Sequence, residues 1–91
     1  LYKKEIELAD VNFIDSSYSD VLKNNSIRVF ARVRYRQPLT SATLEASHES
    51  SVISYKLIFE SPQKFVAVGQ SAVWYSAEGQ MLGGGVIIGA K

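Results

Sequence analysis

Between Ile27 and Arg36 the chain alternates without a break. Ile27, Val29, Ala31, Val33 and Tyr35 fall on one parity, and Arg28, Phe30, Arg32, Arg34 and Arg36 on the other. A repeat of two residues suits a β-strand, in which successive side chains point to opposite faces. A helix turning about 100° per residue would scatter the same apolar residues around its axis. The stretch therefore predicts a strand over 27–36, ended by Pro38, which lacks the N–H a ladder needs and holds Gln37 extended.

The same period recurs along the chain. Ile6 and Leu8 alternate with Glu5 and Glu7, and Val11 and Phe13 resume in changed phase after Ala9-Asp10, predicting a strand over 4–14 bulged at its middle. Residues 15–26 are rich in Ser, Asp and Asn and predict a loop with room for one helical turn. A short strand over 41–46 follows, then the polar break His48-Glu49-Ser50-Ser51. Ile53, Tyr55, Leu57 and Phe59 define the inner face of the next strand, which Ser61-Pro62-Gln63 is expected to turn.

Phe65-Val66-Ala67-Val68 is a short apolar segment stopped by Gly69-Gln70, with Gly69 expected to take a positive φ. Strands over 72–75 and 81–88 flank a predicted hairpin turn at Ala77-Glu78-Gly79-Gln80. Six or seven short strands, with turn signals at close intervals and neither repeat nor linker, predict an all-β barrel or sandwich spanning 1–91 as one closed domain.

Composition removes several chemistries. The 91 residues contain no cysteine, which excludes disulfides, thiolate metal sites and cysteine nucleophiles and fits a reducing compartment. His48 is the only histidine; without other metal ligands or a Gly-x-Ser-x-Gly elbow it reads as an exposed loop residue. Glu45 and Glu60 read as ordinary strand-edge carboxylates. No apolar run reaches the ~18–20 residues of a membrane span, and the N-terminus does not read as a signal peptide. The start at Leu1, without methionine, reads as that of a processed or excised piece. The expectation is a domain with no catalytic residue and no metal.

Net charge is only +1, yet all four arginines, Arg28, Arg32, Arg34 and Arg36, lie in one nine-residue stretch. Alternate residues of a strand stand about 6.6–7 Å apart, comparable to successive phosphates, and guanidinium forks suit phosphate oxygens. Four readings stand side by side: contact with an RNA backbone, ion pairing with Glu45, Glu49 or first-strand acids, docking on an acidic surface of another domain, and idle surface. Gly83-Gly84-Gly85 precedes a β-branched run instead of a helix, so it reads as a bulge, a barrel bend or a close backbone approach, not a phosphate loop. Trp74, Tyr75, Phe59 and Tyr55 could stack on bases, but their spacing favours core and rim. Gln70 could bond a neighbouring strand or a partner.

Three ordered motifs carry a family resemblance across nearly the whole chain. They are Arg34-Tyr35-Arg36-Gln37-Pro38, then Pro62-Gln63 with Val66-Ala67-Val68-Gly69-Gln70-Ser71-Ala72-Val73-Trp74-Tyr75, then Leu82-Gly83-Gly84-Gly85-Val86-Ile87. Together with Ala9-Asp10-Val11-Asn12-Phe13-Ile14 they resemble the C-terminal barrel of bacterial-type tRNA-specific 2-thiouridylases, historically labelled tRNA (5-methylaminomethyl-2-thiouridylate)-methyltransferases. Phe65 and Val68 depart from the family pattern, which favours a small residue and proline there.

The resemblance implies a six-stranded barrel like the second domain of elongation factor Tu, within a larger cytoplasmic enzyme. That enzyme would use ATP to adenylate the wobble uridine of certain tRNAs and then exchange oxygen for sulfur from a persulfide donor protein. The chemistry would reside in an N-terminal catalytic domain; this barrel, with no cofactor of its own, would pack on the catalytic and central domains and help hold tRNA. Gln37, Gly69, Gln70, Gly83, Gly84 and Gly85 are the motif positions to consider for interdomain contact. The alternatives are a purely structural interdomain module and an autonomous flavin-type ligand-binding barrel.

Overall fold

Six strands alternate with short connections in the computed structural model, which describes residues 2–47 and 53–91. They are β1 (Tyr2–Phe13), β2 (Ile27–Arg32), β3 (Thr40–Ser47), β4 (Ser54–Lys64), β5 (Ser71–Tyr75) and β6 (Met81–Ala90), with one helix, α1 (Ser17–Val21), between β1 and β2. They close in the order β1-β4-β3-β2-β5-β6, with β6 returning to β1 and every neighbouring pair antiparallel. The predicted all-β barrel is borne out, and closure leaves no open sheet edge. His48 and Glu49 lie outside the described residues. No helix among the described residues is long and apolar enough to cross a membrane.

Alternation fills the barrel. Ile6 and Leu8 of β1, Val29 and Ala31 of β2, Ala42 and Leu44 of β3, Leu57 and Phe59 of β4, Ala72 and Trp74 of β5 and Ile87 of β6 are buried in one cluster. The phase change in β1 is a bulge: Ala9 faces Val86 and Asn12 faces Gly84, three steps against two, with Asp10 at φ 50° taking up the extra residue. Past it, Val11 and Phe13 turn back onto the core. α1 is the single helical turn expected in the loop, and Leu22, just after it, is buried in the core cluster.

Trp74 sets the shape of β6. The ring is fully buried, and a Cβ at Gly83 would lie 3.1 Å from its Nε1 and against the Asn12 carbonyl oxygen. Gly84 and Gly85 approach the Ala72 and Ala9 carbonyl oxygens to 3.1 and 3.2 Å on the same measure. The triplet thus marks close approach of neighbouring backbones, one of the readings open from sequence. The hairpin before β6 is also as expected: Ser76 N–H donates to Gln80 O at 2.9 Å around a loop whose last residue, Gly79, has φ 85°.

Three expectations are corrected. β2 ends at Arg32, so Arg34 and Arg36 leave the strand and Tyr35, expected inside, is 82% exposed. Ser61-Pro62-Gln63 does not turn the chain but belongs to β4. Lys3 faces Gln63 and Glu5 faces Ile58, so two steps of β1 stand against five of β4, and Pro62 sits in that irregularity where its missing N–H breaks no ladder bond. Ile53, expected on the inner face, precedes β4 and is exposed, because pairing with β3 begins only at Ser54.

The two kinds of glycine should respond differently to alanine. Gly83→Ala forces a methyl group against the β1 backbone and the indole, and should cost about 1–3 kcal/mol or more. Gly79→Ala meets no atom within 4 Å, and its cost of about 1–2 kcal/mol comes from the left-handed backbone alone. Chemical denaturation measures both. Near-ultraviolet circular dichroism should change for Gly83→Ala and not for Gly79→Ala, since only the former displaces Trp74.

Candidate nucleic-acid interface

The four arginines occupy three environments. Arg28 lies on the outer face of the β2–β3–β4 ladder, where it pairs with Glu60 and donates to Ser41 Oγ at 3.1 Å. Arg32, also on the outer face of β2, stands opposite Val73 of β5 with its guanidinium 5.9 Å from the Tyr75 ring. Arg34 and Arg36 belong to a turn closed by the Gln37 N–H donating to Arg34 O at 3.3 Å, with Arg36 at φ 67°.

Three of the acids that sequence offered as arginine partners, Glu5, Glu7 and Glu45, are engaged by lysines. Lys56 reaches Glu5 at 3.3 Å and Glu45 at 3.5 Å, while Lys91 reaches Glu7 at 3.8 Å. Among the described residues, no carboxylate pairs with Arg32, Arg34 or Arg36.

What surrounds these three cations is aromatic. Arg34 lies 5.5 Å from the Phe65 ring and Arg36 lies 5.4 Å from the Tyr35 ring. Lys64 approaches Phe65 at 4.9 Å and Tyr2 at 6.0 Å. A rim of alternating charge and ring thus runs from Tyr2 through Lys64, Phe65 and Arg34, with Arg36 on Tyr35 beside it. Contacts of this kind contribute about 0.5–1 kcal/mol at exposed sites and, more usefully, order long side chains that would otherwise be mobile. Arg32, Arg34 and Tyr35 share a depression of about 280 Å³ with Gly69, Gln70 and Ser71.

A buried amide pair holds this rim. Gln63 is only 4% exposed, and its Oε1 accepts from Gln37 Nε2 while its Nε2 donates to Ser61 O at 2.8 Å. Gln37 Oε1 in turn accepts from the Val33 N–H at 2.9 Å. Two sequence motifs, one carrying Gln37 and the other Pro62-Gln63, are therefore joined across 26 residues by a side-chain clasp that anchors the arginine turn to the end of β4. Sequence reasoning singled out Gln37 as a site position but read Gln63 only as part of a turn and a family motif and gave Lys64 no role; a glutamine in phase with Leu57 and Phe59 was the available signal.

Gly69 and Gln70 form a second lock. Gly69, at φ 94°, donates its N–H to Ile87 O at 2.8 Å, and Ile87 N–H donates to Gln70 O at 2.9 Å. Gln70 thus bonds a neighbouring strand through its backbone, leaving its exposed side chain in the depression. Away from the rim, Gly83, Gly84 and Gly85 floor a groove of about 450 Å³ between Ile14 and Met81. No cluster of three His, Asp or Glu among the described residues could hold a metal ion.

This barrel, with its two motif-built locks, can be placed among known proteins. The profile of the aminomethyltransferase beta-barrel domain matches residues 3–87. The chain belongs to that family. It is 36% identical over 87 residues to the tRNA-specific 2-thiouridylase of Clostridioides difficile (strain 630), a match covering 96% of this chain and 22% of that protein. It is 33% identical over 88 residues to the corresponding protein of Francisella philomiragia, covering 97% and 22%. With that of Christiangramia forsetii it shares 41% over 64 residues, covering 70% and 15%. The resemblance read from the motifs is borne out, and the chain spans between 15% and 22% of the length of these relatives.

Gln63→Ala should strip the Gln37 amide of its partner in a part-buried site and lower stability by about 1–3 kcal/mol. Gln37→Ala should do the same, and the double variant should cost less than the sum, because both remove one shared interaction; equilibrium denaturation of the three variants measures the coupling.

The Glu5 hydrogen bond, with the charges of Glu5 and Glu45, raises Lys56 above the ordinary lysine value. A raised folded value means that the stabilisation is fully present below the unfolded pKa of about 10.4 and is lost as pH rises through the folded value. The stability gap between wild type and Lys56→Met should accordingly be steady through neutral pH and close above about pH 10.5, as read from thermal midpoints across pH.

Proposed function

We propose that this barrel is the C-terminal, RNA-holding module of a cytoplasmic tRNA-thiolating enzyme. Its Arg32, Arg34, Arg36 and Lys64 rim meets the tRNA backbone while other parts of the enzyme perform the chemistry. The supporting observation is three arginines ordered by aromatic rings and left without a carboxylate among the described residues. Guanidinium groups fixed this way offer paired donors to phosphate oxygens and give affinity without sequence choice. The similarity to tRNA-specific 2-thiouridylases supplies the substrate class.

In this reading the full enzyme consumes ATP to activate the wobble uridine oxygen, and a persulfide donor protein supplies the sulfur. The barrel contributes no reacting group. Its part is to keep the tRNA seated while the catalytic domain works on the uridine.

A second reading draws on a different surface. The glycine-floored groove between the exposed Ile14 and Met81 is apolar and suits packing against the catalytic and central domains. Both surfaces can serve one molecule, since the rim and the groove use different side chains.

In the full-length enzyme, Arg32→Ala/Arg34→Ala should weaken tRNA binding and make the log affinity–log salt slope shallower by about 1.4–1.8 for two lost phosphate contacts. Arg28→Ala, which removes a residue already paired with Glu60, should leave the slope unchanged. Filter binding across salt concentrations tests both. An unchanged affinity in the double variant, with a lowered melting temperature, would instead assign these arginines to interdomain packing.

A further inference from the structure

We infer that the depression beside the arginine turn receives one unpaired nucleotide: its base stacks on Tyr35, its edge meets the Gln70 amide, and its phosphate lies on Arg32 and Arg34. This rests on the RNA contact proposed above and makes it more specific, from nucleic-acid backbone in general to single-stranded RNA.

Tyr35 is the first ground. It is the most exposed large hydrophobic residue among the described residues, at 82%, and it sits at the tip of a turn that the Gln37–Gln63 clasp holds. A solvent-exposed ring presented on a buried anchor loses little freedom when a partner covers it. One cation, Arg36, packs on Tyr35 at 5.4 Å, leaving a second ring face for a base. Phe65 differs, because Arg34 and Lys64 both approach it. Phe65 therefore orders the cations, and Tyr35 is the stacking platform.

The depression supplies the remaining contacts. Arg32, Arg34, Tyr35 and Gln70 line a space of about 280 Å³, just below the ~300–1,000 Å³ of drug-sized ligand pockets and suited to one base. The Gln70 side chain carries both a donor and an acceptor and makes no hydrogen bond to the described residues, so it can meet the edge of a base. The Gly69 turn and the two bonds to Ile87 fix its backbone. Duplex RNA keeps its bases paired and stacked and offers no free ring face to Tyr35, whereas unpaired nucleotides can be splayed onto an aromatic side chain between cations.

Fluorescence anisotropy of the 91-residue chain with a labelled 12-nucleotide oligouridine and with a 12-base-pair RNA duplex tests this. The single strand should bind about tenfold or more tighter than the duplex. Tyr35→Ala should weaken single-strand binding roughly 5- to 150-fold, the loss of one stacked base, while leaving duplex binding and the thermal midpoint unchanged. Tyr35→Phe should restore the affinity, because the ring and not the hydroxyl stacks, and Gln70→Ala should weaken the single strand alone. Equal affinity for both RNAs, with Tyr35→Ala as tight as wild type and Arg34→Ala still weaker, overturns the single-nucleotide site and leaves the backbone contact standing. If neither RNA binds, both the single-nucleotide site and the backbone contact are overturned.

Discussion

Trp74 needs a cavity that only a missing side chain can provide, and the barrel is arranged around that requirement. The indole is fully buried against the Gly83 backbone, with Phe13 at 6.1 Å on another side and Tyr55 packed edge-on to Phe13. Its Nε1 makes no hydrogen bond to the described residues, so packing alone holds the ring. Burying so large an aromatic surface offsets the cost of the unpaired N–H, which is about 1–3 kcal/mol. Because Gly83, Gly84 and Gly85 let the β1 and β5 backbones approach β6 so closely, closure and core filling are one event.

With the core settled by apolar packing, the polar motif residues are free to shape the surface. Gln37 and Gln63 form a connected set of side-chain amide bonds between the β2–β3 turn and β4, and they serve the turn more than the core. Their geometry is demanding: each amide must present its oxygen to a donor and its nitrogen to an acceptor, which ties the turn to β4. That demand gives the seven-residue connection from β2 to β3, which carries Arg34 and Arg36, a defined shape despite its exposure. It also separates Arg34 and Arg36 from Arg28, which is neutralised on the sheet by Glu60.

The fold was legible where burial is one-sided. From Ile6 to Leu8, Val29 to Ala31, Leu57 to Phe59 and Ala72 to Trp74, a slip of one residue would turn apolar side chains to water, so alternation and structure agree. The bulge at Asp10 was legible for the same reason, as a change of phase. The arginine site was legible in composition and not in shape. Val33 continues the alternation and is buried, yet it already stands outside β2, and the Tyr35 that follows is exposed. Period two cannot distinguish a strand from the first residues of a turn whose conformation is enforced by a glutamine from elsewhere. Ser61-Pro62 misled in the opposite direction, since a strand irregularity and a reverse turn call for the same residues.

By itself the sequence determined the all-β class, the inward residues other than Tyr35 and Ile53, the hairpin at Gly79, the absence of cysteine chemistry and, through its motifs, the family. These depend on local periodicity, on backbone conformations that few residues tolerate and on residue types, all of which are written along the chain. Tertiary structure alone decided which cations are free and which rings accompany them. Ion pairs and ring contacts join residues far apart, such as Arg34 with Phe65 and Lys56 with Glu5, and the strand order that brings them together follows from barrel closure and not from any local pattern.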